Sequence, residues 1–226
     1  MPVQSTGTSV NAGAAPSIVE EMMLFDAPLI PGLSYRETLI DASEEAELLR
    51  HIERVELAPF KFQGWEGKRL TRTFGWRYDF DDRSFAPADP LPSWLAPLQA
   101  KAAQFAKVDP KEFVHALVTR YDPGAGIGWH RDRPQFGKVV GITLAGSATL
   151  RFRLRQGSGF RRANLELEPR SAYLLSGEAR AFWEHGIAAH DALRHSITFR
   201  TLSDRGKEAA SAPRAGSSRR PSPSSE

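Results

Sequence analysis

Cysteine is absent from the 226-residue chain, which removes disulfides, zinc-thiolate centres and thiol nucleophiles together. Any bound metal must then be held by histidine and carboxylate. No apolar run approaches the roughly 20 residues that span a bilayer, so no membrane partner is expected. The opening stretch MPVQSTGTSVNAGAAPS lacks both the cationic start and the apolar stretch of a secretory signal, and a cytoplasmic location is expected. A large charge of one sign is missing too. The net charge is +3, and five basic residues against two acidic ones between Arg205 and Glu226 account for all of it. The rest of the chain is close to neutral and exerts no general pull on a polyanion. No fixed-period repeat is visible, and a monomer is expected.

What is present divides into tails and one domain. Residues 1–20 and the basic Ser/Pro-rich stretch 205–226 hold too few large apolar groups to pack and read as disordered. Residues 21–204 suit a single domain. It begins with short apolar runs broken by Pro28, Pro31 and Gly32, which read as strands or extended entry segments. Asp41 and Glu44 have capping-box spacing, and Leu48, Ile52 and Val55 then share one helical face, predicting a helix of about four turns. A second helix is predicted from Ser93, with Leu95, Leu98, Ala102 and Phe105 as its buried stripe and Pro110 marking its end. Beyond Pro110 the period becomes two, through FVHALVTRY, KVVGITLAG, ATLRFRLR, ANLEL, SAYLLS and RHSITFR. The expected fold is mainly β in an α+β arrangement: a sandwich or jelly roll of two sheets over about 110–202, with the helices buttressing one outer face.

Within that frame GIGWHRD sets His130 and Asp132 two positions apart, on one face of a strand. His185 follows 53 positions after Asp132 in the apolar company of FWEHGI. Two histidines and one carboxylate, a close pair plus a ligand from a distant strand, match the facial triad of non-haem Fe(II) sites. In RHSITFR, alternation places Arg194, Ser196, Thr198 and Arg200 on one face and His195 on the other. Buried arginines need partners, and that strand holds no carboxylate, so an anionic ligand with more than one carboxylate is expected beside the metal. His190, in the polar AAHDAL, is expected in solvent.

These segments, RYDPGAGIGWHRD, PRSAYLLSGEARAFWEHGI and RHSITFR above all, resemble the AlkB-type Fe(II)/2-oxoglutarate-dependent dioxygenases, with likeness from about Arg69 to Leu202. The resemblance implies a double-stranded β-helix core, with Fe(II), 2-oxoglutarate and O2 as cofactors. By it His130, Asp132 and His185 bind iron and carry catalysis. Arg194 pairs with the distal carboxylate of 2-oxoglutarate beside Tyr121, and Arg200 lies near its iron end. Thr119 and Ser196 stand where the family often has Asn and keep a hydroxyl for the co-substrate. Pro134 replaces an acid found in well-studied DNA-repair members.

The resemblance further implies oxidative demethylation of N-alkylated bases in DNA or RNA, presented as single strands or flipped bases. The family's lid position, GWEGKRLTRTFGWRYDFDDRSF, interleaves aromatics with basic residues, as single-stranded nucleic acid requires. Phe74 and Phe80 are expected to pack inward, leaving Trp76 and Tyr78 as base contacts. Arg151, Arg153 and Arg155 share a strand face that is either a phosphate track or a solvated surface. The alternatives are a relative acting on tRNA modification or on a protein side chain, and a binding module with a degenerate site.

Overall fold

The computed structural model of the protein describes residues 30–62, 65–78 and 84–211. After β1 (Leu33–Arg36) come α1 (Ala42–Ile52), β2 (Ala58–Phe62), β3 (Trp65–Tyr78) and β4 (Phe85–Pro87). A 3-10 turn, Ser93–Leu95, leads into α2 (Ala96–Ala106). The strand-rich part holds β5 (Phe113–Tyr121), β6 (Ala125–His130), β7 (Phe136–Leu144), β8 (Ala148–Gln156), β9 (Gly159–Leu167) and β10 (Ala172–Leu175). It continues with α3 (Gly177–Ala181), β11 (Glu184–His190) and β12 (Arg194–Leu202), and α4 (Asp204–Ser211) closes the described chain.

From β5 onward the chain passes back and forth between two sheets, staying in one only for the β8–β9 hairpin, as in a jelly roll. The larger sheet has the order β1-β10-β7-β12-β5-β3-β2, with β4 on β3, and the smaller is β6-β11-β8-β9. Every pairing is antiparallel. The expected architecture is therefore the observed one. Ile197, Phe199, Ala116, Val118, Ile142 and Phe74 face outward from the larger sheet and bury against α1 and α2. Leu150, Phe152, Leu167, Val139 and Trp183 fill a second core where the sheets meet.

Capping decides where the helices begin. The Asp41 carboxylate accepts from the Glu44 amide at 2.9 Å while the Glu44 carboxylate accepts from the Asp41 amide at 2.9 Å, a reciprocal box. The helix stops at Ile52, about three turns rather than four, and Val55 packs on the core from outside it. In α2 Pro97 occupies the first turn, where its missing amide costs nothing, and Lys107 ends the helix at φ 52.

Two boundaries differ from expectation. Residues 205–211, assigned to a tail on composition, form α4. Gly206 is buried against the Gln135 carbonyl so closely that a Cβ would meet it at 2.0 Å, and packing against a neighbour supplies what the segment's few apolar groups do not. Asp132 lies beyond the end of β6 instead of on it. The expected tail residues 1–20 and 212–226, and the apolar run before Ile30, lie outside the described residues.

Candidate metal and co-substrate site

The register of β12 against β5 builds one wall of the site. Arg194 pairs across to Tyr121, Ser196 to Thr119, Thr198 to Leu117 and Arg200 to His115. All eight line one cavity of about 1200 Å³ between the sheets. His195 faces away, as alternation requires. His190 is half-buried rather than in solvent, with its ring 6.2 Å from that of Tyr121.

The opposite wall brings the three candidate metal ligands together. His130 ends β6 directly across from His185 on β11, with ring centroids 4.3 Å apart. Asp132, just past the strand, turns back so that its Oδ2 stands 3.5 Å from His185 Nε2. Among the described residues no His, Asp and Glu side chains are already drawn around one point as a finished metal cage. The donors are nevertheless the right ones. His130 Nδ1 is 2.9 Å from the Gly128 carbonyl; donating there leaves Nε2 with its lone pair, the form that binds metal. Arg200 donates from Nε to Asp132 Oδ1 at 2.8 Å and holds Nη2 at the same distance, while Oδ2 is buried without a hydrogen-bond partner among the described residues. Two imidazole nitrogens and a spare carboxylate oxygen at a cavity wall suit Fe(II).

Electrostatics keeps these donors in their binding states. Burial pushes the Asp132 carboxyl up, but Arg200, the two histidines and Arg180 outweigh it and hold the group well below the usual carboxylate range. Burial, and then His130, push His185 down to about 3. Burial likewise lowers His130, with Asp132 opposing. All three therefore present lone pairs at neutral pH.

The two arginines play different parts. Arg200 finds its carboxylate within the protein, in Asp132, and His115 Nδ1 lies 3.3 Å from its Nη1, so the expected need for an external anion does not apply to it. Among the described residues no carboxylate pairs with Arg194. It is 1% exposed, donates to Thr143 Oγ1 at 3.2 Å, and keeps Nε and Nη1 without hydrogen-bond partners among those residues. Its guanidinium lies 5.0 Å from the Tyr121 ring centroid. A buried cation with spare donors facing a cavity asks for an anion there.

Of the residues expected to meet substrate, Tyr78 lines the cavity, its ring beneath the Arg133 guanidinium at 4.5 Å. Trp76 does not; its indole stacks on Phe85 at 5.0 Å. Alternation holds between the two: Tyr78 pairs with Phe85 and Trp76 with Pro87 across β4, so Trp76, Tyr78 and Phe85 share a face, and Phe85, edge-on to the cavity-lining Phe136 at 5.7 Å, covers the indole. Phe74 packs in the core as expected, while the side chains of Trp65 and Phe80 lie outside the described residues. Arg151, Arg153 and Arg155 share the outer face of the smaller sheet, outside the cavity. Arg151 and Arg153 sit over Trp129 at 5.1 and 4.6 Å, and Arg153 and Arg155 flank Phe160 at 4.7 and 5.6 Å. Glu184 accepts from Arg153 Nε at 2.6 Å.

Several cavity residues escaped the sequence. His115 and Leu117 follow from continuing the Tyr121 and Thr119 alternation down β5, so that signal was available. Arg69 lines the cavity 9% exposed, stacked 3.9 Å from the Phe60 ring, with no carboxylate pairing it among the described residues. Burial lowers its pKa. Trp129 and Tyr173 also line the cavity.

A family model described as the 2OG-Fe(II) oxygenase superfamily matches residues 40–205. Among curated proteins, the chain is 25% identical over 168 residues to the mouse tRNA (carboxymethyluridine(34)-5-O)-methyltransferase ALKBH8 (Mus musculus), covering 70% of this chain and 24% of that protein. It is 30% identical over 132 residues to the probable RNA/DNA demethylase ALKBH6 of Danio rerio, covering 58% and 53%. The chain thus spans about a quarter of the first relative and about half of the second. Among solved structures, OsALKBH1 superposes with a TM-score of 0.58 at 16% identity, over 76% of this chain and 97% of that one, a likeness of fold.

Proposed function

The chain belongs to the 2OG-Fe(II) oxygenase superfamily as an AlkB-type member; from that premise we propose that it oxidatively removes N-linked alkyl groups from bases in DNA or RNA. It is a dioxygenase that uses Fe(II), 2-oxoglutarate and O2. His130 Nε2, His185 Nε2 and Asp132 Oδ2 would hold the metal. Bound there with 2-oxoglutarate and O2, iron supplies the oxidising power: one oxygen atom goes into succinate as CO2 leaves, and the other hydroxylates the N-methyl carbon. The C–N bond of the hydroxymethyl product then breaks, releasing formaldehyde and the unmodified base.

The protein's own residues bind, orient and exclude water. Arg200 fixes one Asp132 oxygen and so aims the other at the metal. Arg194, with Tyr121, Thr119 and Ser196 beside it, receives the distal carboxylate of 2-oxoglutarate. Arg69 and Tyr78 stand on the cavity wall left for the base. The cavity lies between the sheets, so a base inside a duplex must be flipped or offered as a single strand.

Trp129 carries the choice of nucleic acid. It lines the cavity and also lies under Arg151 and Arg153, so a stacking ring and phosphate-binding cations meet at the cavity edge. The mouse relative, whose name refers to carboxymethyluridine(34) of tRNA, makes tRNA one of the RNAs to test. The test is mass spectrometry of a single-stranded oligonucleotide bearing one 1-methyladenine, incubated with protein, Fe(II), 2-oxoglutarate and air. Loss of one methylene mass that depends on 2-oxoglutarate supports the proposal. Succinate formation without loss from methylated DNA, RNA or tRNA refutes it and points to a protein side chain.

A further inference from the structure

Tyr173, on β10, lines the cavity, and the fold makes unusual room for it. It pairs with Gly141 across β10 and β7, and Gly141 pairs with Thr198 across β7 and β12. A Cβ on Gly141 would lie 2.3 Å from Tyr173 Cζ, 2.4 Å from Cε1 and 2.5 Å from the hydroxyl oxygen. The phenol therefore lies flat across β7 in space that only glycine leaves, and its hydroxyl is carried toward β12 and the cavity it lines.

Its neighbours define what it meets. Thr143, the next inward-facing residue along β7 from Gly141, is the one that accepts from Arg194 Nη2. One step along a strand face separates the resting place of the Arg194 head from that of the Tyr173 hydroxyl. Burial raises the phenol to about 12, with Tyr121 adding to the shift and Arg194 opposing it. The group is therefore a neutral O–H donor at any working pH.

We propose that Tyr173 donates a hydrogen bond to the distal carboxylate of 2-oxoglutarate, alongside Arg194, and that Gly141 is glycine in order to seat its ring. The proposal rests on the placement of the distal carboxylate of 2-oxoglutarate at Arg194, and deepens it. Tyr173 is on this view a co-substrate-binding residue at the end remote from the metal.

The experiment is isothermal titration calorimetry on Mn(II)-loaded protein with two ligands, 2-oxoglutarate and oxalate, the second of which lacks the distal carboxylate. Tyr173→Phe keeps the ring and removes only the donor. It is expected to weaken 2-oxoglutarate roughly tenfold, the factor of a lost hydrogen bond to a charged group, and to leave oxalate affinity and the melting temperature unchanged. Gly141→Ala, which displaces the ring, is expected to weaken 2-oxoglutarate at least as much. In turnover the KM for 2-oxoglutarate rises while kcat at saturation holds. Unchanged 2-oxoglutarate affinity in Tyr173→Phe, or equal losses for both ligands, overturns the proposal. Arg194→Ala separates the two levels: if it too binds 2-oxoglutarate as the parent does, the placement of the co-substrate itself is wrong.

Discussion

Replacing Arg200 by methionine removes the cation that answers Asp132 while keeping an apolar stem of similar length. The Asp132 side chain is 5% exposed and that of Arg200 12%, with two nitrogens 2.8 Å from one carboxylate oxygen. A buried ion pair broken from one side leaves an uncompensated charge, at a cost of about 3–5 kcal/mol. In a domain of this size each kcal/mol moves the melting temperature by about 2–4 °C, so the metal-free variant is expected to melt roughly 6–20 °C below the parent. Adding Asp132→Asn to it should recover much of that loss, because the position left without its cation then carries no charge. Mn(II) supplies the same test from another side. A metal at Asp132 replaces the missing cation, so saturating Mn(II) should raise the melting temperature of Arg200→Met by more than it raises the parent's. Differential scanning calorimetry of the parent, both single variants and the double, each with EDTA and with Mn(II), measures both effects. Costs that simply add in the double variant, or equal Mn(II) increments, would refute the reasoning.

Acid should weaken the metal-free protein. Burial first, and Arg200 second, hold His115 well below 6.5 in the folded state, so only the unfolded chain takes up its proton as pH falls. Stability contributed at neutral pH is then lost below about 6.5, at about 1.4 kcal/mol per pH unit for each such imidazole. Denaturant unfolding of His115→Gln in EDTA should show that slope reduced by one such increment between about pH 6 and 5; an unchanged slope would mean His115 is protonated in the fold. On the outer face, changing Arg151, Arg153 and Arg155 together to Ala should flatten the salt dependence of single-strand binding by up to about 2 logarithmic units per decade, at about 0.7 per phosphate contact. An unaltered slope would send the phosphates to another surface.

The strands were legible because each alternates cleanly: β5 occupies the very residues FVHALVTRY, and the Arg194 to Arg200 face of β12 lines the cavity as period two requires. Metal donors were legible as residue types at a spacing, but the position of Asp132 was not, since nothing in GWHRD marks where β6 stops pairing. Trp76 shares its strand face with Tyr78 as period two requires, but its cover by Phe85, which reaches it only through sheet pairing, was not legible. Arg200 looked unpaired because its partner lies 68 positions away. Tyr173 is invisible for a related reason: its significance lies in Gly141, which neighbours it only through sheet pairing.

The loop that follows Asp132 is gripped from two directions. Arg180, from α3, donates to the carbonyls of Arg133 and Phe136. From the far end of the chain, Ser203 bonds the carbonyls of Pro134 and Gln135, and α4 presses Gly206 onto the latter. The carboxylate thus hangs from a strap buckled by segments some 50 and 70 residues downstream. Its aim is set before any ligand arrives, at an ordering cost already met on folding. A chain cut at the end of β12 would accordingly keep His130, Asp132 and His185 and lose Ser203 and Gly206, one of the two hands that hold the Asp132 loop in place.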